Sequence, residues 1–109
     1  MTIRILFLCS QNRMRSPTAE QVFARHPGVA CASAGLNRDA DNPLSAELVE
    51  WAEVIFVMEP EHEARLAERF GGLLGGKSVF CLDIADQYAY MDPVLIALLH
   101  ARVAPLLPA

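Results

Sequence analysis

The chain has 109 residues, of which 53% are hydrophobic, and this content argues against a disordered chain and for one buried core. The formal net charge of −4 gives no reason to expect nucleic acid or an anionic membrane surface as a partner. No apolar run approaches the roughly 20 residues that a membrane span requires, and the N-terminus lacks the basic and apolar segments of an export signal. We therefore predict a single domain over residues 1–109.

Three cysteines, Cys9, Cys31 and Cys81, lie far apart in the sequence. An odd number with no CxxC pair is not typical of a disulfide framework or of a zinc site, and the histidines also lack metal-ligand spacing. We expect Cys31 and Cys81, which lie in apolar runs, to be core residues. The sequence further predicts no metal or other cofactor, and the reducing cytoplasm is the expected compartment.

Apolar runs alternate with helical patterns along the chain. The runs predict four strands, at residues 3–8, 29–33, 54–58 and 78–82, of which the first should be buried on both faces. A capping residue or a proline opens each predicted helix, namely those at residues 16–25 and 45–51 and those that begin at Pro60 and after Asp92. Polar, turn-rich residues 36–44 and residues 83–91 predict loops.

Strands separated by helices indicate an α/β fold, in which right-handed crossovers cover both faces of a parallel sheet with helices. Ligands of such sheets bind at the carboxyl ends of the strands, near the point where the strand order reverses. The segment CSQNRMRSPTAE, residues 9–20, follows the first predicted strand directly. Its position therefore favours a functional role.

A tight loop from Cys9 to Arg15 that leads into a helix suits the binding of a phosphate-like anion. Successive backbone N–H groups form an anion-binding nest, and the first helical turn adds free N–H groups and the positive end of its dipole. Arg15 supplies a planar fork for two oxygens. Because positive surroundings favour the thiolate, Cys9 becomes a candidate nucleophile towards bound phosphorus.

This Cys-x5-Arg-Ser-Pro segment resembles the low-molecular-weight protein tyrosine phosphatases, which carry Cys-x5-Arg-Ser-Pro-x-Ala-Glu after their first strand. The matching positions are Cys9, Asn12, Arg15, Ser16, Pro17, Ala19 and Glu20. Ser33-Ala34-Gly35 and residues 51–66 are also similar to family segments. The resemblance implies a three-layer sandwich with a four-stranded parallel sheet in the order 2-1-3-4. It also implies hydrolysis of phosphate monoesters, chiefly phosphotyrosine in proteins or small aryl phosphates, through a phosphocysteine intermediate.

The resemblance assigns roles to the residues of the loop. Cys9 is the nucleophile, Arg15 clamps the phosphate, and Ser16 donates a hydrogen bond to the thiolate. Asn12 holds the loop in a left-handed backbone conformation, which Asn tolerates well. The phosphate-binding residues are Ser10, Gln11, Asn12, Arg13, Met14 and Arg15, with Arg13 at the solvated rim.

Two aspartates compete for the role of general acid, which the family places in an Ile-x-Asp-Pro-Tyr loop after the fourth strand. Asp86 matches the frame of Ile84 and Tyr88, whereas Asp92 has the literal Asp-Pro pair. Asp-Pro before an apolar helix is also an N-cap signal. We favour Asp86 and keep Asp92 as the alternative, with Tyr88 and Tyr90 walling the pocket.

The segment departs from the family pattern at several places. Gln11 replaces a loop glycine, and Met14 stands where many members have a second, protective cysteine. A helix that normally brings a histidine to the loop is missing after the second strand, and loop 36–44 has no aromatic residue. These departures support a second hypothesis, a phosphate- or phosphoprotein-binding module with little turnover. An arsenate reductase relay is not expected, because residues 59–62 contain no cysteine.

Overall fold

A computed structural model describes residues 2–107 of the chain. Its centre is a four-stranded sheet made of β1 (Ile3–Cys9), β2 (Val29–Gly35), β3 (Val54–Val57) and β4 (Ser78–Cys81). The strands lie in the order β2-β1-β3-β4, and all neighbours are parallel. The predicted fold class and strand order are therefore confirmed.

The helices follow the predicted pattern, with one correction. They are α1 (Arg15–Phe23), α2 (Ala46–Trp51), α3 (Pro60–Phe70) and α4 (Pro93–Val103). Ser45 caps α2 and Asp92 caps α4, as predicted, by accepting hydrogen bonds from the backbone N–H groups of Leu48 and Val94. Ser16 does not cap α1, which begins one residue earlier, because its hydroxyl group is engaged by the preceding loop instead.

The first strand is buried on both faces of the sheet because successive side chains of a strand point to opposite sides. Ile5, Phe7 and Cys9 belong to the apolar cluster that α1 and α4 cover. Leu6 and Leu8 belong to the cluster that α2 and α3 cover. Complete burial of each such leucine, isoleucine or phenylalanine stabilises the fold by about 1.5–3 kcal/mol. The Cys9 side chain therefore starts from the rigid centre of the sheet.

The other two cysteines pack against these clusters but are only half-buried, because β2 and β4 are the edge strands. Cys31 contacts the first cluster and Cys81 the second. Burial, together with the Glu20 carboxylate, raises the pKa of the Cys31 thiol to about 11. Cys31 thus stays neutral at neutral pH and is poorly suited to act as a nucleophile.

The topology directs the loops after β1, β3 and β4 to one edge of the sheet. The strand order reverses between β1 and β3, since the chain crosses from β1 to β2 on one side and returns to β3 on the other. Such a reversal opens a crevice at the carboxyl ends of the strands. Of the helices within residues 2–107, none is long and apolar enough to cross a membrane.

Candidate active site

The loop between β1 and α1 is held from outside by loop 36–44. Three backbone hydrogen bonds join the two loops. The Leu36 N–H group donates to the Cys9 carbonyl oxygen at 2.9 Å, that of Asn37 to Ser10 at 2.9 Å, and that of Asp41 to Gln11 at 3.0 Å. In a trans peptide the N–H group points away from the carbonyl oxygen of the same unit. The N–H groups of the next residues along the loop therefore face the opposite side, where they line a cradle for an anion.

The sulfur of Cys9 lies inside this cradle. Its Sγ atom is 2.9 Å from the Ser16 hydroxyl oxygen and accepts a hydrogen bond of 3.2 Å from the Asn12 backbone N–H group. The Asn12 side-chain amide donates to the same Ser16 oxygen at 2.9 Å, so the Ser16 hydroxyl group can donate its own hydrogen to the sulfur at 2.9 Å or to the more distant Ala34 carbonyl oxygen at 3.5 Å. Asn12 has a φ of 55°, so its predicted left-handed conformation is confirmed.

Gly35, at the end of β2, packs against the outside of the cradle without a side chain. A Cβ atom at this position would lie 2.5 Å from the Ala40 Cβ atom, 2.7 Å from the Ser10 carbonyl oxygen and 3.0 Å from the Asn12 nitrogen. Contacts this short are repulsive, and two of the three neighbouring atoms are backbone atoms of the cradle. Only glycine permits this close approach.

Arg15 is buried at the first position of α1, and its guanidinium group is fixed from one side. The Nη1 atom donates to the Glu59 carboxylate at 2.8 Å and to the Ile84 carbonyl oxygen at 2.7 Å. The hydrogen bond from Arg15 holds the pKa of the Glu59 carboxyl group below its ordinary value. The Nη2 atom makes no hydrogen bond to any residue in the 2–107 range, which leaves it available to an oxyanion.

His62 supports the cradle from α3, and sequence reasoning did not find it. Its ring is buried, and the Nδ1 atom accepts a hydrogen bond of 3.2 Å from the Glu59 backbone N–H group. Because Nδ1 is an acceptor, the ring proton is on Nε2, which donates to the Ser10 hydroxyl oxygen at 2.9 Å. Burial, followed by the nearby Arg15 charge, lowers the pKa of His62. The available signal was the spacing of Glu59 and His62, which form a capping box at the start of α3.

A cavity of about 220 Å³ opens at this edge of the sheet and is lined by Cys9, Gln11, Arg13, Met14, Arg15 and Asp86. Cys9 and Arg15 are buried, while Arg13 and Met14 are exposed at the rim. Arg13 forms an ion pair of 3.1 Å with Asp41 of loop 36–44. The structure therefore brings a thiol, a guanidinium group and a carboxyl group to one cavity.

Gln11 fits into the cradle without a left-handed backbone. Among residues 2–107, positive φ angles occur outside glycine only at Asn12, Asp83 and Met91. The Gln11 side-chain oxygen is buried, and no other described residue hydrogen-bonds to it. The replacement of glycine is thus compatible with the backbone path of the cradle.

The two candidate acids occupy different places. Asp86 lines the cavity, and its carboxylate lies 3.9 Å from the Arg15 Nε atom. Asp92 caps α4, where its carboxylate accepts a hydrogen bond of 2.8 Å from the Val94 N–H group. Neither tyrosine is among the residues that line the cavity itself, so their role as a wall for a bound aromatic ring stays a prediction. Tyr88 packs against the first core cluster, and Tyr90 is exposed.

Within residues 2–107, no group of three or more His, Cys, Asp or Glu residues is placed to hold a metal ion.

No protein-family model and no curated relative matches this chain, but solved structures do. The YwlE arginine phosphatase from Geobacillus stearothermophilus is 25% identical and matches 94% of this chain and 86% of its own, with a TM-score of 0.72. The tyrosine phosphatase Wzb from Escherichia coli K30 is 20% identical and matches 97% of this chain and 96% of its own, with a TM-score of 0.78. SP-PTP, a low molecular weight protein tyrosine phosphatase from Streptococcus pyogenes, is 12% identical, with coverages of 98% and 95% and a TM-score of 0.77. This chain therefore has the fold of the low-molecular-weight protein tyrosine phosphatases, as its Cys-x5-Arg-Ser-Pro motif predicts.

Proposed function

We propose that this chain is a cysteine-dependent phosphatase that hydrolyses phosphate monoesters, with phosphotyrosine in proteins as its substrate class. One observation carries the proposal. The Cys9 thiol, the Arg15 guanidinium group and the Asp86 carboxyl group line a single cavity, and the Asn12 backbone N–H group donates to the sulfur. These groups are a nucleophile, an anion clamp and a proton donor, which together suffice for phosphoryl transfer without a metal ion.

In the first step, the phosphate binds to the cradle N–H groups and to the Nη2 atom of Arg15. Cys9 reacts as the thiolate: its sulfur forms a bond to phosphorus as the bond from phosphorus to the leaving oxygen breaks. Asp86 gives its proton to that oxygen, so the leaving group departs as a neutral phenol. Arg15 and the loop N–H groups stabilise the charge that spreads over the equatorial oxygens.

In the second step, water attacks phosphorus while Asp86 takes up a proton from it, and the bond between phosphorus and sulfur breaks. The departing sulfur is a thiolate, and the Ser16 hydroxyl group lies 2.9 Å from it, within reach to donate a hydrogen bond. Inorganic phosphate is released, and the enzyme returns to its starting state. Ser16 thus assists the leaving group of this step.

An aromatic leaving group is supported by the loop that carries Asp86. Tyr90 lies on this loop, is 48% exposed, and can cover a phenyl ring at the cavity mouth. Wzb from Vibrio vulnificus, which has a TM-score of 0.79 with this chain at 22% identity, was solved with benzylphosphonate. Comparing phosphotyrosine with phosphoarginine peptides tests the leaving group, since YwlE is an arginine phosphatase.

The alternative function is a phosphate- or phosphoprotein-binding module with little turnover. Two features favour it: Gln11 occupies part of the cavity wall, and Arg15 is already engaged by Glu59 and the Ile84 carbonyl oxygen. Calorimetry with inorganic phosphate, set beside turnover of an aryl phosphate, separates the two. Micromolar binding without turnover would favour the module.

The test of the leading proposal is turnover of an aryl phosphate in the presence of a chelator by the wild type, Cys9→Ser and Cys31→Ser. We expect turnover by the wild type and by Cys31→Ser, because Cys31 lies on an edge strand away from the cavity, and none by Cys9→Ser. Equal turnover by all three proteins would refute the proposal. A nucleophilic thiol must stay reduced, so we also propose the cytoplasm as the compartment.

A further inference from the structure

Exposed apolar side chains concentrate beside the cavity. Six large apolar side chains are exposed among residues 2–107, and four of them form what we call the rim patch: Met14 (41%), Tyr90 (48%), Met91 (39%) and Val94 (57%). The other two, Phe80 and Leu106, belong to β4 and to the C-terminal 3₁₀ turn. Single exposed apolar residues are ordinary, but a cluster at the mouth of a site marks a binding surface.

A shared hydroxyl group joins the two halves of the rim patch. The buried Thr18 side chain donates to the Met14 carbonyl oxygen at 2.6 Å and accepts a hydrogen bond of 2.9 Å from the Met91 backbone N–H group. The start of α1 and the segment before α4 are thereby held side by side. Because Met14 also lines the cavity, the rim patch is continuous with the candidate active site.

The backbone at Met91 is in a conformation that favours glycine. Its φ is 61°, in the left-handed region, where the Cβ atom of other residues is strained. Methionine at this position is less stable than glycine would be, and its side chain is exposed to water. Strained residues of this kind concentrate at functional sites, which points to a role for the side chain itself.

We propose that the rim patch binds an apolar side chain that flanks the phosphorylated residue of a polypeptide substrate, a proposal that rests on the phosphatase function above. An extended peptide advances about 3.4 Å per residue, so three residues on either side of the phosphorylated one extend about 10 Å beyond the cavity. Charge disfavours acidic flanks on the side of the cavity that carries Asp86, and Arg13, the exposed cation at the rim, is already paired with Asp41. Asp86, whose side chain is 68% exposed, and the partly exposed Asp92 lie on the segment that carries Tyr90 and Met91 and repel a carboxylate.

The test measures binding in a Cys9→Ala background, which has no acceptor for the phosphoryl group, so that it does not depend on turnover. Two phosphotyrosine peptides of equal length carry either leucine or glutamate at the flanking positions. We expect the leucine peptide to bind about tenfold more tightly, the effect of burying part of one apolar side chain. Met91→Gly and Val94→Ser should each reduce this preference to about twofold. Leu106→Ser, at an equally exposed position outside the rim patch, should preserve it.

Equal binding of the two peptides, or an equal loss in Leu106→Ser, would overturn the proposal. A concentration-dependent dimer that Met91→Gly abolishes would assign the rim patch to a second copy of the chain and also overturn it. With otherwise native Cys9, Met91→Gly should hydrolyse a small aryl phosphate at the wild-type rate, and a large loss would place Met91 in the pocket instead. If the wild type turns over nothing while the peptide preference persists, the phosphatase function fails, and the rim patch stands as a binding surface for phosphorylated peptides rather than for a substrate.

Discussion

The segment between β4 and α4 contains two aspartates, and a matched pair of substitutions separates their roles. Asp86 lines the cavity beside Arg15, whereas Asp92 caps α4 through the Val94 N–H group. Asp86→Asn and Asp92→Asn each replace a carboxylate by an amide of nearly the same shape. We expect the first to impair catalysis and the second to leave catalysis and folding nearly unchanged.

The magnitudes follow from these two environments. A general acid contributes about 10²- to 10⁴-fold, or roughly 2.7–5.5 kcal/mol of transition-state stabilisation, when the leaving group is poor. Asp86 is largely exposed, and its carboxylate is 3.9 Å from Arg15, so its loss should change the free energy of unfolding by less than about 1 kcal/mol. Asn is as effective a helix cap as Asp, so Asp92→Asn should change the free energy of unfolding by less than about 0.5 kcal/mol.

The assay compares kcat/KM for two aryl phosphates, one with a strongly acidic phenol and one with a weakly acidic phenol. Because a good leaving group needs little protonation, Asp86→Asn should lose far more activity on the weakly acidic phenol than on the other. Urea unfolding of both variants serves as the control for stability. A larger loss in Asp92→Asn, or a loss in Asp86→Asn that is the same for both phenols, would refute our assignment.

Two further predictions concern residues that hold the cradle. Gly35→Ala should lose oxyanion affinity in calorimetry and about 1–3 kcal/mol of stability, because its Cβ atom would meet the cradle backbone. Gly72→Ala is the control and should lose neither affinity nor stability, because its Cβ atom has no neighbour within 4 Å. Equal losses in the two variants would contradict the prediction. The pKa of His62 is lower in the folded chain than in the unfolded chain, so the unfolded chain binds a proton more readily. The free energy of unfolding should therefore keep its full value above about pH 6.5 and fall as the pH drops towards the pKa of His62 in the folded chain. Urea unfolding across this range should show a smaller fall in His62→Gln, and an identical fall would count against a role for His62.

Much of the fold is predictable because it depends on short-range patterns. Unbroken apolar runs mark buried parallel strands, and capping residues followed by helical patterns mark the starts of α2 and α4 at Ser45 and Asp92. Ser16 has the same signal as those two caps, yet its hydroxyl faces Cys9 and Asn12. The sequence cannot distinguish the two outcomes, because they differ in the path of the loop before the helix.

The candidate site was predictable where its residues are close in sequence and less so where the fold assembles them. Cys9 and Arg15 come from one segment, and Asp86 could be aligned by its neighbours. His62 is 52 residues from Ser10, and the hydrogen bond between them arises only from the packing of α3 beside the loop. Tyr88 was predicted beside the pocket from the family's Ile-x-Asp-Pro-Tyr frame, and its half-buried side chain packs against the first core cluster, a contact that its spacing to Asp86 does not predict.

The central claim is that Cys9 carries the phosphoryl group during turnover. Mixing Asp86→Asn with an aryl phosphate of a strongly acidic phenol, followed by acid quenching and mass measurement, tests it most directly. This variant should form the phosphocysteine but hydrolyse it slowly, because Asp86 also activates the water. We predict one added phosphoryl group on the peptide that contains Cys9, and none when Cys9→Ala, which removes the acceptor atom, is added to the variant. A phosphoryl group on another residue, or free phenol released with no phosphoryl group on the protein at any quenching time, would contradict the account.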